Sequence, residues 1–429
     1  MSVLKVILIG AGNRGKTYTG VMAKHPDKFK VVGVAEPVEN RRNDIRDIHQ
    51  CEESKCFASW QDILALPKFA DVAVISTMDR LHLEPAMKAL ELGYDLLLEK
   101  PVAPTPDECG MIYKQAEKYG RKVMVCHVLR YTPYFVQLKK FLDDGVVGKV
   151  ISVNHTEAVG NVHQSHSFVR GNWGNSDRST FMLLQKCCHD MDILQWLIGE
   201  ECTKIQSFGS LSYFNQNNAP DGAPERCIDG CPEADTCPYN AVKLYYDDKD
   251  NNWFRTTSTK MVKPTDEDVL NALKNTQYGK CVFRCDNDVV DHQTVNMEFS
   301  NGTTVLLTMC AFTKGGRFTH IMGTKGELHA EMGAADDKQF YFYDFETKEK
   351  RYLKSDIAVN GDSIVSGHGG GDEGIVAALY DYLTGKIEKE NVSEIGISCY
   401  NHLLVFAAEH SRLNGEIVDF RAYCDKFMK

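Results

Sequence analysis

Val3-Leu-Lys-Val-Ile-Leu-Ile9 runs directly into Gly10-Ala-Gly12-Asn13-Arg14-Gly15, and few junctions restrict a chain so strongly. A short apolar run rich in β-branched residues has the length of a buried parallel strand. Residues 16–24 then continue with helical spacing. Gly10 permits the tight turn, Gly12 lets a pyrophosphate approach the backbone, and Gly15 lets helix and strand pack closely. Phosphates would sit at the helix N-terminus, where free N–H groups and the dipole favour anions. A second strand, residues 30–35, ends in Glu36, which lies 21 residues after Gly15. A carboxylate there accepts the ribose hydroxyls and repels a 2′-phosphate, which favours NAD. Arg41 and Arg42 follow closely and leave NADP open.

The alternation continues. Residues 71–77 and 94–98 read as strands, with a helix over 82–92 between them that stops at Gly93. Thr105-Pro-Asp-Glu108 is a strong helix start, with a capping hydroxyl and acids in the first turn. That helix ends at Gly120, and residues 122–126 form one more strand. Strands alternating with helices predict a doubly wound parallel sheet with its ligand at the strands' carboxyl ends. We read a dinucleotide-binding domain over 1–127 and a second α/β domain over 128–429.

Composition narrows the function classes. The chain has 429 residues, with 49 Lys plus Arg against 59 Asp plus Glu, so 49 − 59 gives −10. A net negative surface repels phosphate backbones, so nucleic acid is a poor partner. No apolar run approaches the ~20 residues that cross a bilayer. The N-terminal strand lacks the cleavage site of a secretory signal, so a cytoplasmic location is expected. Fifteen cysteines are odd in number and dispersed, which favours reduced thiols or a metal site over disulfides.

Three motifs taken together carry a resemblance: the glycine loop, Glu99-Lys100-Pro101 after a strand, and His189-Asp190 on a downstream helix. In this order they resemble the Gfo/Idh/MocA oxidoreductases. The resemblance implies a Rossmann domain followed by an α/β domain with a large open, mainly antiparallel sheet. It also implies a nicotinamide cofactor and sugar or polyol substrates. By the same resemblance Thr77 and His82 line the dinucleotide groove beside Glu99 and Lys100. Lys100, just past a strand end, can orient a hydroxyl as it becomes a carbonyl. An imidazole near its reference pKa of ~6.5 suits proton transfer at neutral pH, so His189 is the expected general base. Gln185 lies one helical turn earlier, where family dehydrogenases commonly carry an aspartate. Glutamine can bind a hydroxyl but cannot take its proton.

Other candidates surround these. His163, His166, Arg170 and Trp173 make a polar aromatic stretch suited to a carbohydrate, with a surface loop as the plain alternative. His127 and Arg130 follow the last Rossmann strand, and His368 and Asp372 flank a glycine run; all four are candidate substrate contacts. Residues from about 215 to 285 read as an inserted polar loop. It contains Cys227, Cys231 and Cys237, and Cys281 is the chosen fourth ligand of a structural Zn²⁺. An iron–sulfur cluster and simple thiols stay open as alternatives. From Asp291 onward alternation and the Asn301-Gly302 turn predict antiparallel hairpins, and an exposed sheet face predicts a homo-oligomer. The expected function is hydride transfer between NAD(P) and a sugar, inositol or sugar derivative. An NAD-retaining glycosidase working by transient oxidation and elimination is the first rival. A non-catalytic NAD-binding sensor is the second.

Overall fold

A computed structural model describes residues 3–261, 263–357 and 367–429. Six strands form the first sheet: β1 (Leu4–Ile9), β2 (Phe29–Ala35), β3 (Cys56–Phe57), β4 (Val72–Ile75), β5 (Asp95–Leu98) and β6 (Val123–Val125). Their spatial order is β3-β2-β1-β4-β5-β6, and every pairing is parallel. The strands are apolar without alternation because helices cover both faces; all four residues of β4 are buried. The helix Pro106–Tyr119 begins as read, with the Thr105 hydroxyl accepting from the Glu108 N–H, and ends at Gly120 in the left-handed region.

The second sheet has nine strands: β7 (Val150–Ala158), β8 (Cys202–Ser210), β9 (His292–Phe299), β10 (Thr304–Cys310), β11 (Gly316–Gly323), β12 (Gly326–Met332), β13 (Phe340–Asp344), β14 (Lys350–Tyr352) and β15 (Val418–Asp419). Their order is β14-β13-β12-β11-β7-β10-β9-β8-β15. Only β7 and β10 pair in parallel among the described residues. The fold class is therefore a doubly wound parallel sheet joined to a large, mainly antiparallel one. One face of the second sheet carries the helices Met182–Ile198 and Ile395–Asn414, which pack on each other. On the opposite face Phe208 is 57% exposed and Ile151 is 47% exposed. No helix among the described residues is long and apolar enough to cross a membrane.

The far end of the chain completes the first sheet's surroundings. Ile375, Val376, Leu379 and Tyr380 of the helix Gly371–Leu383 share a core with Val6, Leu8 and Tyr18. The Val125 N–H donates to the Ser393 carbonyl at 2.8 Å, prolonging the β6 edge.

The inserted stretch differs from the expected polar loop. It contains the helices Asn252–Thr259 and Asp266–Asn275, the second opened by a reciprocal Thr265–Asp268 capping pair. It also buries two small cores, one around Phe214, Tyr239 and Phe283, the other around Tyr245, Phe254 and Leu273. Its asparagines, aspartates and prolines sit at the turns and caps, and a few aromatic residues supply the apolar contacts.

Candidate active site

The glycine loop is shaped by two close approaches and one opening. A Cβ on Gly10, whose φ is +92°, would stand 2.7 Å from the Ser76 carbonyl oxygen. One on Gly15 would stand 2.2 Å from the Gly10 carbonyl oxygen. Gly12, in contrast, has nothing within 4 Å of its Cβ position. It precedes the helix Asn13–Ala23, whose first turn has no side-chain cap. The loop thus leaves both space and N–H donors for a diphosphate. Glu36 is buried, and its carboxylate accepts from the Ala11 N–H at 2.7 Å and the Val38 N–H at 3.0 Å. Arg42 turns back to the Glu36 carbonyl at 2.6 Å, and Arg41 is half-buried on the same helix. These residues fit a dinucleotide.

Arg14 makes a lock rather than an open cation. Its guanidinium donates to Glu99 Oε1 at 2.9 Å and Asp372 Oδ1 at 2.6 Å. Asp372 is fully buried, so it ties the helix Gly371–Leu383 to the glycine loop and corrects its expected place at the substrate. Burial alone would raise the Glu99 carboxyl, but Arg14 and Lys100 outweigh it and hold the group below the usual range. His368 sits in the turn Gly367–Gly370, and its side chain lies outside the described residues. Thr77 spends its hydroxyl on the Leu81 carbonyl at 3.0 Å. His82 is buried with its ring nitrogens 2.9 Å from the Pro101 carbonyl and 3.1 Å from the Thr77 carbonyl. It clamps the segment after β4 to the segment after β5.

Lys100 and the helix that carries His189 meet from different elements. Lys100 follows β5 directly, and its Nζ donates to the Gln185 carbonyl oxygen at 2.8 Å. That oxygen lies one turn before His189 on the helix Met182–Ile198. The ammonium keeps two further donors. The His189 ring lies 5.7 Å, centroid to centroid, from buried His127, which in turn lies 5.3 Å from His402. Both His127 ring nitrogens are buried without a hydrogen-bond partner, and burial lowers its pKa. Burial, with His127 nearby, pushes His402 down to about 3. His402 accepts from the Val102 N–H at 3.0 Å, and its Nδ1 lies 2.7 Å from the Ser398 carbonyl. These buried neutral rings pack one behind another beside His189.

Several expected contacts serve the frame instead. The Gln185 side-chain nitrogen donates to the Asp79 carboxylate, to the Ser179 hydroxyl at 2.7 Å and to the Thr180 hydroxyl at 2.8 Å. Its amide therefore binds the segment after β4, while its backbone carbonyl holds Lys100. Arg130 forms a buried bidentate pair with Asp192 at 3.0 and 2.6 Å. The Asp190 carboxylate faces His155 at 3.0 Å and Arg317 at 2.7 Å. His166 is 1% exposed, stacked on Phe254 at 4.2 Å and 2.8 Å from the Tyr245 hydroxyl. Arg170, also 1% exposed, donates to the Lys280 and Tyr239 carbonyls at 2.8 and 2.7 Å. Arg130, His166 and Arg170 are thus engaged with the frame around them. His163 and Trp173 remain nearer the surface, His163 at 5.3 Å from the Trp253 ring and Trp173 at 6.0 Å from Phe168.

Sequence reading did not find Asp79, Asp192 or His402. Asp79 meets Gln185 across 106 residues, which no local pattern encodes. On the open sheet face, His320, Glu327 and His329 place their ligand atoms within 4.8 Å of one another.

Residues 4–127 match a family model described as "Oxidoreductase family, NAD-binding Rossmann fold". Residues 139–349 match its companion, "Oxidoreductase family, C-terminal alpha/beta domain". The chain is 26% identical over 224 residues to inositol 2-dehydrogenase/D-chiro-inositol 3-dehydrogenase of Lactiplantibacillus plantarum, covering 52% of this chain and 60% of that protein. It is 28% identical over 193 residues to 2,7-anhydro-N-acetylneuraminate hydratase of Escherichia coli, covering 45% and 49%. These two alignments span between about half and three-fifths of the relatives' own lengths. Across its length the fold matches an Agrobacterium radiobacter oxidoreductase solved with NAD+, L-tartaric acid and magnesium. The TM-score is 0.69 at 15% identity, covering 98% of this chain and 99% of that one.

Proposed function

The chain belongs to the Gfo/Idh/MocA oxidoreductase family, and on that premise we propose that it is an NAD-dependent oxidoreductase acting on a hydroxyl of a sugar, inositol or sugar derivative. The observation that carries the reading is the 2.8 Å bond from Lys100 Nζ to the Gln185 carbonyl. It sets an ammonium from the nucleotide-binding half against the helix turn that presents His189. A bound nicotinamide supplies the hydride acceptor.

The chain's own residues manage position and protons. Gly10, Gly12, Asn13 and Gly15 hold the diphosphate, and Glu36 holds the adenosine ribose. Lys100 directs one of its remaining N–H donors at the substrate oxygen and stabilises the charge that develops there. His189 accepts the hydroxyl proton, and in the reverse direction returns it. Gln185 stays on Asp79 and transfers no proton. Glu36 favours NAD; a role for NADP would need Arg41 to meet the 2′-phosphate. A panel of inositols, aldoses and uronates with NAD, followed by nicotinamide absorbance, tests the proposal. Turnover of at least one polyol or sugar supports it, and silence across the panel with NAD bound removes it.

Gln185 in place of a carboxylate, together with the similarity to a hydratase, favours one second reading. In it the redox step is transient and the net reaction is elimination followed by hydration. Conversion of a glycoside or anhydrosugar without net NADH formation would select it over the first. We further propose a cytoplasmic homo-oligomer that covers the open sheet face around Phe208. A monomeric mass by light scattering would discard the assembly.

A further inference from the structure

Four cysteines from distant parts of the inserted stretch border one space. Cys227, Cys231, Cys237 and Cys281 line one cavity of about 20 Å³, which is room for a single ion or water. Cys285 stands outside this wall, its sulfur 3.4 Å from the Cys281 carbonyl. Cys281 is part of the small core of Phe214, Tyr239 and Phe283, and Cys231 and Cys237 pack against it.

A second observation points to the charge of the occupant. Arg170 lines the same cavity and is almost fully buried. Two of its nitrogens are held by backbone carbonyls, and one also lies 3.6 Å from the Cys227 sulfur. Its third nitrogen, Nη1, is buried with no hydrogen-bond partner. A buried guanidinium with a spare donor calls for a negative group beside it. Glu233 also lines the cavity, but it is exposed and accepts from the Thr236 hydroxyl at 2.6 Å; four thiols carry no charge, whereas four thiolates around a divalent ion carry a net charge of two minus.

We propose that Cys227, Cys231, Cys237 and Cys281 bind one Zn²⁺ as a closed structural site, with Arg170 offsetting one of the two negative charges of the tetrathiolate. Each ligand gives up its thiol proton to solvent on binding. The small cavity suits one ion rather than an iron–sulfur cluster. No three of the four sulfurs lie within 4.8 Å of one another. Tetrahedral bonds of 2.3 Å set them about 3.8 Å apart, so binding draws the wall inward. With four protein ligands the ion has no open position for substrate, and its work is mechanical. It fastens the Cys227–Cys237 loop to Cys281, and through Arg170 it steadies the segment that carries His163 and Trp173. The site is independent of the redox assignment above.

The test uses the full chain purified under reducing conditions. Elemental analysis should find about one zinc per chain. After chelation, Co²⁺ should restore saturable binding with the absorption bands of a tetrahedral thiolate complex. Cys231→Ser and Cys281→Ser should lose those bands, and Cys285→Ser should keep them, with NADH binding intact in all three. Iron with acid-labile sulfide would replace the single ion by a cluster and overturn the proposal. So would an absence of saturable Zn²⁺ or Co²⁺ binding at micromolar metal, or retention of the bands in Cys281→Ser.

Discussion

Lys100 is where positioning and chemistry separate most cleanly. Its ammonium is fixed by a single carbonyl, and the nucleotide cradle of Gly10–Gly15 and Glu36 lies on other segments. Lys100→Ala should therefore lower kcat/KM by roughly 10²- to 10⁴-fold, the range for a positioned proton-handling group. NADH affinity, read by fluorescence quenching, should stay within about threefold, since a larger change would place the ammonium on the coenzyme. Asp192 makes the contrasting case. It is buried against Arg130 and Asn401 and reaches no substrate. Asp192→Ala leaves a guanidinium uncompensated in the interior and should cost about 3–5 kcal/mol of stability. Urea unfolding measures that loss, and a value below about 1 kcal/mol would mean that water reaches Arg130. Glu99 shows the same logic working for function: burial opposes its charge, Arg14 and Lys100 restore it, and the carboxylate so held positions the Lys100 backbone at 2.7 Å.

The strand-to-helix unit at the N-terminus carries the sharpest steric prediction. A methyl at Gly15 meets the Gly10 carbonyl at 2.2 Å within the loop that must hold the diphosphate, and the Ser76 hydroxyl beside it at 2.7 Å. Gly15→Ala should abolish measurable NADH binding while circular dichroism still reports a folded second domain. Unchanged affinity would mean the loop relaxes without penalty. This unit was legible because every local rule agreed: an apolar run, glycines at the close approaches and an acid after β2. The helix at Thr105 was legible for the same reason, since cap, first-turn acids and terminal glycine all point one way. β8, β11, β13 and β14 were not. They carry polar Ser207 and Thr319 on the buried face and apolar Phe208, Met322 and Tyr341 on the open face, which blurs the alternation that marks a half-buried strand. Arg170 reads as a substrate contact because arginine is so seldom fully buried. Its partners are backbone carbonyls 69 and 110 residues away, which no spacing announces. Cys227, Cys231, Cys237 and Cys281, grouped by the sequence, line one cavity in the fold.

The two halves are joined by polar contacts of Lys100 with the Gln185 carbonyl and of Arg80 with the Ser179 carbonyl. Buried titratable groups on both sides therefore govern the pH range in which the assembled cleft persists. His166 and His402 are held down to about 3, each chiefly by burial, with Arg170 acting on the first and His127 on the second. In the unfolded chain each titrates near ~6.5. Between these limits the unfolded state binds protons that the native state refuses, so stability falls as pH falls. Each histidine contributes a slope of about 1.4 kcal/mol per pH unit below ~6.5. Asp190, Asp192 and Glu99 are held below their usual values by their cationic partners despite burial. Their contribution is present above pH ~4 and is lost only as pH falls further, so it adds to a decline already under way. Denaturant midpoints should therefore be level above pH ~7 and drop steadily from about 6.5 toward 5. His166→Phe, which keeps the ring stack on Phe254 and removes one titrating group, should make that decline shallower by about one histidine's slope. A midpoint that stays level down to pH ~5 would show that these imidazoles reach water in the native state.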